Sequence, residues 1–104
     1  MELSQATFQD FIAADGLALV DFSATWCGPC RAMAPVVAAL PSQIPGLRVG
    51  TIDVDKDPED AAALGVRSIP FLALFRAGKL LATRVGATTP AALAAWVKEK
   101  SGEA

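Results

Sequence analysis

Histidine is missing from the 104 residues of this sequence, and only two cysteines are present. Without histidine, a serine or cysteine nucleophile activated by an imidazole is excluded, and so is a histidine-ligated metal site. Two cysteines are also too few for the disulfide framework of a small secreted domain. The two cysteines are therefore the first candidates for the chemistry of this chain.

The sequence also lacks a run of like charges and a long apolar segment. Its formal net charge is −2, and the absence of a basic patch argues against nucleic acid or an anionic membrane surface as a partner. No segment approaches the roughly 20 apolar residues that span a bilayer. The first residues contain neither a basic nor a hydrophobic segment, so no signal peptide is expected. A cytoplasmic protein is predicted, although the mature form of an exported protein would look the same.

Apolar residues make up 53% of the sequence, which predicts one folded domain over residues 1–104. Their spacing alternates between helical and strand periods, and the nearly continuous apolar run over residues 17–22 is typical of a strand covered on both faces. Such alternation predicts an α/β fold with a mixed sheet and helices on both faces. The first predicted helix runs from residue 4 or 7 to residue 14. The second begins at Pro29 and follows an apolar stripe from Met33 to Ile44, with Pro41 and Pro45 as its limits, and two more helices cover residues 58–63 and 90–100. The predicted strands cover residues 17–22, 47–55, 71–75 and 80–85, with a very short strand at residues 1–3 as a fifth.

Cys27 and Cys30 enclose Gly28 and Pro29 in a turn between a buried strand and a helix. Pro29 suits the first turn of a helix, where its missing N–H costs little. Unpaired backbone N–H groups and the positive end of the helix dipole stabilise a thiolate at this place. We therefore predict Cys27 as the exposed nucleophile. Cys30, one turn into the helix and more buried, is predicted as the resolving thiol.

Two other interpretations of the cysteine pair have less support. Zinc normally takes four ligands, and the sequence has no second cysteine pair and no histidine, so no metal site is predicted. A purely structural disulfide that closes so small a loop would restrict the unfolded chain only slightly.

Asp21 is the second candidate for chemistry. On a strand it shares one face with Leu17 and Leu19. If both faces of this strand are covered, Asp21 is buried among apolar side chains, and desolvation raises its pKa. The alternative is a solvated carboxylate at the end of the strand.

One pentapeptide and several residues at fixed separations carry a family signal. They are Val20-Asp21-Phe22, Trp26-Cys27-Gly28-Pro29-Cys30, Pro35, Ile69-Pro70, Gly78 and Gly86. A CxxC pair alone would be weak evidence, whereas the whole set is specific and resembles the thioredoxin family over almost the entire chain. The resemblance implies a thioredoxin fold, with a central mixed sheet of four to five strands and helices on both faces.

The resemblance also implies roles for residues outside the cysteine pair. It makes Asp21 the buried proton acceptor of Cys30, and it places a cis proline, Pro70, against the disulfide. The backbone of Ile69 would then be free to pair with an extended substrate segment. Residues Trp26, Gly28, Pro29, Gly86 and Ala87 would complete the substrate groove.

The resemblance further implies the reaction and its partners. The chain would reduce disulfides of other proteins and close its own Cys27–Cys30 disulfide, with no bound cofactor. A thioredoxin reductase that uses flavin and NADPH would re-reduce it, and a monomer is expected. Strongly oxidising relatives carry a histidine between their cysteines, whereas Gly28 and Pro29 add no charge here. The reducing direction is therefore predicted.

Three positions depart from the pattern of many bacterial members, namely Ser23 in place of Trp, Thr51 in place of Lys, and Phe71 in place of Thr. Without a lysine at position 51, Asp21 loses a neighbour that would favour its charged form. Phe71 either fills core space or alters the groove wall.

An exported oxidoreductase with a dedicated partner and a thioredoxin-fold binding subunit are the alternative functions.

Overall fold

A computed structural model describes residues 1–102, and within them strands and helices alternate along the chain as the sequence predicts. The α/β fold expected from the apolar periodicity is thereby confirmed. The elements are β1 (Glu2–Leu3), α1 (Gln5–Ala13), β2 (Leu17–Ser23), α2 (Gly28–Ala39), β3 (Arg48–Asp53), α3 (Pro58–Ala63), β4 (Phe71–Arg76), β5 (Lys79–Val85) and α4 (Pro90–Lys100).

The strands of residues 1–102 form a five-stranded mixed sheet in the order β1-β3-β2-β4-β5. β3 runs parallel to both β1 and β2, whereas β4 runs antiparallel to β2 and to β5. β2 is therefore the central strand, paired on both edges. The turn that follows β2 carries the two cysteines, so the most enclosed strand of the sheet supports the candidate site.

Alternate residues of β2 belong to two different cores, one on each face of the sheet. Leu17 and Leu19 pack with residues of α2 and α4, and Ala18, Val20 and Phe22 pack with residues of α1 and α3. Each of these five side chains is buried. The prediction of a strand covered on both faces is therefore confirmed. Its apolar composition follows from this double burial, because neither face can carry solvated side chains.

The chain reverses between β4 and β5 at two residues with left-handed backbone. Ala77 has φ +48° and Gly78 has φ +86°, the pattern of a type I′ turn, whose twist matches that of the flanking strands.

The last helix, α4, begins at a capped end, because the Thr89 side chain accepts a hydrogen bond from the Ala92 N–H at 3.2 Å. Pro90 occupies the first helical turn, where no N–H is needed.

The main difference from the predicted elements is the end of α2. The α-helix ends at Ala39, and a single 3₁₀ turn over Leu40–Ser42 follows it. Ile44 is fully buried although it lies beyond both helices. The apolar spacing that extended the predicted helix therefore reflects burial of a loop residue, which periodicity alone does not separate from a helix.

Candidate active site

The two cysteines form a disulfide at the first turn of α2. Cys27 is the N-cap residue of α2 and Cys30 lies in its first turn, with a Cα–Cα distance of 5.2 Å. The Cys30 N–H donates to Cys27 Sγ at 3.2 Å. A sulfur that caps a helix in this way faces backbone donors, and those donors stabilise negative charge on it once the disulfide is reduced. Gly28 and Pro29 are exposed between the two cysteines.

Both cysteines are buried, although to different degrees. Cys27 is 5% exposed and Cys30 is 1% exposed. The order agrees with the sequence prediction, but the expectation of an exposed Cys27 is wrong. The physical reason is local packing, since the pair forms a small apolar cluster with Ala24, against which Val54 and Ile69 also pack. Only a small part of Cys27 is therefore open to an approaching substrate sulfur.

Asp21 lies on β2, on the sheet face that α2 covers, and only 1% of its surface is exposed. The solvated strand end is thereby excluded. Neither carboxylate oxygen has a hydrogen-bond partner among the described residues, and none joins it to Cys30 in the disulfide form. Desolvation raises the pKa of Asp21 from 3.8 to about 6. The buried carboxyl therefore exchanges protons close to neutral pH.

Pro70 follows a cis peptide bond with Ile69, directly before β4. The Pro70 carbonyl accepts a hydrogen bond from the Gly86 N–H at 2.8 Å. Gly86 has φ +96°, a conformation that favours glycine. The structure thus joins the segments before β4 and after β5, and it leaves Ala87 exposed beside them.

Trp26 stands exposed at the edge of the site, with 67% of its surface accessible. Its indole Nε1 donates to Asp55 Oδ2 at 2.7 Å. Asp55 is not among the site residues that the sequence predicts. A signal existed, because Asp55 follows β3, and the ends of the parallel strands β2 and β3 meet at the same edge of the sheet.

An apolar cavity of about 180 Å³ adjoins Trp26. Its wall is mostly aliphatic, with one cation, Arg67, at the rim. A cavity of this kind can receive an apolar side chain of a bound polypeptide. The lining residues are Trp26, Val54, Ala61, Val66, Arg67 and Ile69.

The three departures noted in the sequence occupy different surroundings. Phe71 is buried and its ring packs edge-on against Phe22, with centroids 5.8 Å apart. It therefore fills the core on the α1 face of the sheet. Thr51 pairs with Asp21 across β3 and β2, and it lines a second cavity of about 270 Å³ together with Cys30 and Ser23. A longer side chain at position 51 would project into this cavity.

Within residues 1–102, no group of three or more histidine, cysteine or acidic side chains is arranged to hold a metal ion. No helix in the same range is long and apolar enough to cross a membrane.

A disulfide at a helix N-terminus, packed against the Ile69 residue that precedes a cis proline, defines a dithiol–disulfide oxidoreductase site. Comparisons with known proteins agree. The family model described as Thioredoxin matches residues 1–99. The chain is 46% identical to a thioredoxin of Chlamydia muridarum over 84 residues, which is 81% of each protein. It is 39% identical to a thioredoxin of Rhodospirillum rubrum over 99 residues, covering 93% of this chain and 95% of that protein.

The fold comparison gives the same result. A solved structure of a mutant thioredoxin from Halobacterium salinarum superposes with a TM-score of 0.88 at 35% identity, covering 96% of this chain and 88% of that one. The chain belongs to the thioredoxin family, and its Cys27–Cys30 pair is the redox-active disulfide of that family.

Proposed function

We propose that the chain is a general protein-disulfide reductase that acts in the cytoplasm as a monomeric single domain. A flavin- and NADPH-dependent thioredoxin reductase would re-reduce it, and the chain itself would carry no cofactor. The observation that carries the proposal is the capped Cys27–Cys30 pair, because the residues between the cysteines add no charge. A moderately stabilised thiolate gives a dithiol that is readily oxidised and therefore reducing.

The first step is attack on the substrate disulfide by the Cys27 thiolate. A bond forms between Cys27 Sγ and one substrate sulfur, and the other substrate sulfur leaves as a thiolate that takes up a proton. Backbone N–H groups at the start of α2 stabilise Cys27 before the attack. The buried position of Cys27 favours an extended substrate segment that can bring its sulfur close.

The second step resolves the mixed disulfide. The Cys30 thiol gives its proton to the Asp21 carboxylate, and Cys30 Sγ then attacks Cys27 Sγ. The second substrate sulfur departs and is protonated, so two electrons have passed to the substrate. Asp21 suits this role because its pKa of about 6 leaves it ionised yet ready to accept a proton near neutral pH.

The groove for the substrate segment would lie between Trp26 and the Gly86–Ala87 segment. The exposed Gly28 and Pro29 leave room for an approaching backbone. The backbone of Ile69 would pair with the substrate as an added strand, and Pro70 would present an apolar wall to the disulfide.

The reduction potential of the Cys27–Cys30 pair tests this proposal. The chain is equilibrated in glutathione buffers of graded potential, and the fluorescence of Trp26 reports the redox state. A Trp96→Phe variant removes the other tryptophan, which is half-buried on α4. We expect a potential near −270 mV, the value known for thioredoxins, since the Cys27-Gly28-Pro29-Cys30 turn resembles the active-site turn of that family. A potential above about −180 mV would refute the reducing direction, and full biological activity of a Cys27→Ser, Cys30→Ser variant would indicate a binding subunit instead.

A further inference from the structure

Thr88 is tied to two other elements at the end of the segment that follows β5. Its backbone N–H donates to Met33 Sδ at 3.4 Å. Its hydroxyl oxygen accepts a hydrogen bond from Arg84 Nη2 at 3.0 Å. Two residues earlier, the Gly86 N–H donates to the Pro70 carbonyl. The short segment of residues 86–88 is therefore fixed at both ends, with the exposed Ala87 between them.

Met33 connects this segment to the helix that carries the cysteines. It lies on α2 three residues after Cys30, on the same face of the helix, and it is 1% exposed. A backbone N–H that is partly buried needs an acceptor, and the neighbouring core side chains of α2 and α4 are hydrocarbon. The thioether sulfur is a weak acceptor but meets that need, which leucine would not.

Arg84 holds the same residue from the sheet. It lies on β5 opposite Leu72 of β4 and is half-buried. Because its bond to the Thr88 hydroxyl is also partly buried, water competes with it less than at an open surface. Neither Arg84 nor Met33 is among the residues of the proposed groove, and the hydrogen bond that each makes to Thr88 connects it to the groove wall.

We propose that Met33 and Arg84 are positioning residues that hold Thr88, and through it Ala87, in the conformation that receives an extended substrate backbone. This inference rests on the proposed function, because it concerns one wall of the proposed groove. A wall that is already fixed loses little conformational freedom when a polypeptide binds, so its contribution is to affinity. A small disulfide that does not extend along the wall gains less from it.

The test compares two substrates, an extended peptide disulfide and a small aromatic disulfide reagent, in reactions of the reduced chain. The variants are Thr88→Val, Arg84→Met and Met33→Leu. The quantity compared is the ratio of kcat/KM for the peptide to kcat/KM for the small disulfide. For Thr88→Val we expect this ratio to fall about threefold to tenfold, as for loss of one hydrogen bond. The fall should come from a higher KM for the peptide, with kcat unchanged. Arg84→Met should give the same change, and the Thr88→Val/Arg84→Met double variant no larger one, because both substitutions remove the same hydrogen bond. Met33→Leu removes the other bond to Thr88 and should change the ratio in the same direction. Thr88→Ser keeps the hydroxyl and should restore the wild-type ratio.

Matched controls separate this effect from general destabilisation. Arg76→Met removes an arginine that bonds the Ser101 carbonyl, at the other end of the hairpin, and Leu40→Met exchanges core volume beyond the end of α2. Both controls should keep the wild-type ratio. If the variants of Thr88, Arg84 and Met33 are folded and also keep the wild-type ratio, this inference is wrong while the proposed function stands. A wild-type chain that reduces neither substrate would instead overturn the proposed function, and this inference with it.

Discussion

Replacement of Asp21 by asparagine is expected to stabilise the oxidised protein at neutral pH. Burial raises the pKa of Asp21 from 3.8 to about 6, so the folded protein binds this proton more tightly than the unfolded chain does. Between these two values the folded state holds more protons, and its stability therefore decreases as the pH rises. This pKa difference corresponds to a decrease of about 3 kcal/mol in the free energy of unfolding as the pH rises from below the lower pKa to above the upper one.

Asparagine has nearly the same shape and cannot ionise, so Asp21→Asn should be more stable than wild type by up to about 3 kcal/mol at about pH 7.5. The difference should shrink to less than about 1 kcal/mol at about pH 4, where wild-type Asp21 is protonated when folded. Urea unfolding of the oxidised proteins at both pH values measures this. Asp10→Asn, at an exposed position of α1, is the matched control and should show no such change. A gain for Asp21→Asn that is the same at both pH values, or no gain at about pH 7.5, would refute the reasoning.

Three further predictions concern neighbouring residues. Phe71→Ala should lower the free energy of unfolding by about 3–5 kcal/mol, since it leaves a cavity in the core; a loss below about 1 kcal/mol in urea unfolding would contradict this. Thr51→Lys should lower the pKa of Asp21 from about 6, because Thr51 pairs with Asp21 across the two strands and a lysine there would bring a cation near the carboxyl, and a carboxyl titration by NMR that shows an unchanged or higher value would exclude the effect. Asp55→Ala should free the Trp26 ring, which steady-state fluorescence anisotropy would detect as faster motion, whereas Asp55→Asn, which keeps an acceptor oxygen, should preserve the wild-type signal.

Much of the fold could be predicted because local signals and the hydrophobic pattern agree. Thr89 and Pro90 predict a helix start that the structure contains. The apolar run of β2 predicts burial on both faces, and Asp21 within that run is buried as its position on the strand suggested. These features depend on backbone geometry and on side-chain periodicity, which the sequence expresses directly.

The contacts that sequence analysis missed join residues far apart in the chain. Met33 lies on the apolar face of its helix, and nothing local in the sequence indicates that its sulfur meets the Thr88 N–H. The bond from Trp26 to Asp55 likewise depends on how two strand ends meet. The burial of Cys27 depends on Val54 and Ile69, which other segments bring to it. Such contacts follow from tertiary packing, which periodicity does not specify.

The central position of β2 has a consequence for how the chain opens in solution. Amide protons of a strand paired on both edges exchange with solvent only when the neighbouring strands separate as well. We therefore expect the amides of β2 to be among the slowest to exchange for deuterium, and those of the edge strands β1 and β5 to exchange much sooner. The reactive turn is thus attached to the part of the molecule that unfolds last, so partial opening at the sheet edges leaves the cysteine pair intact.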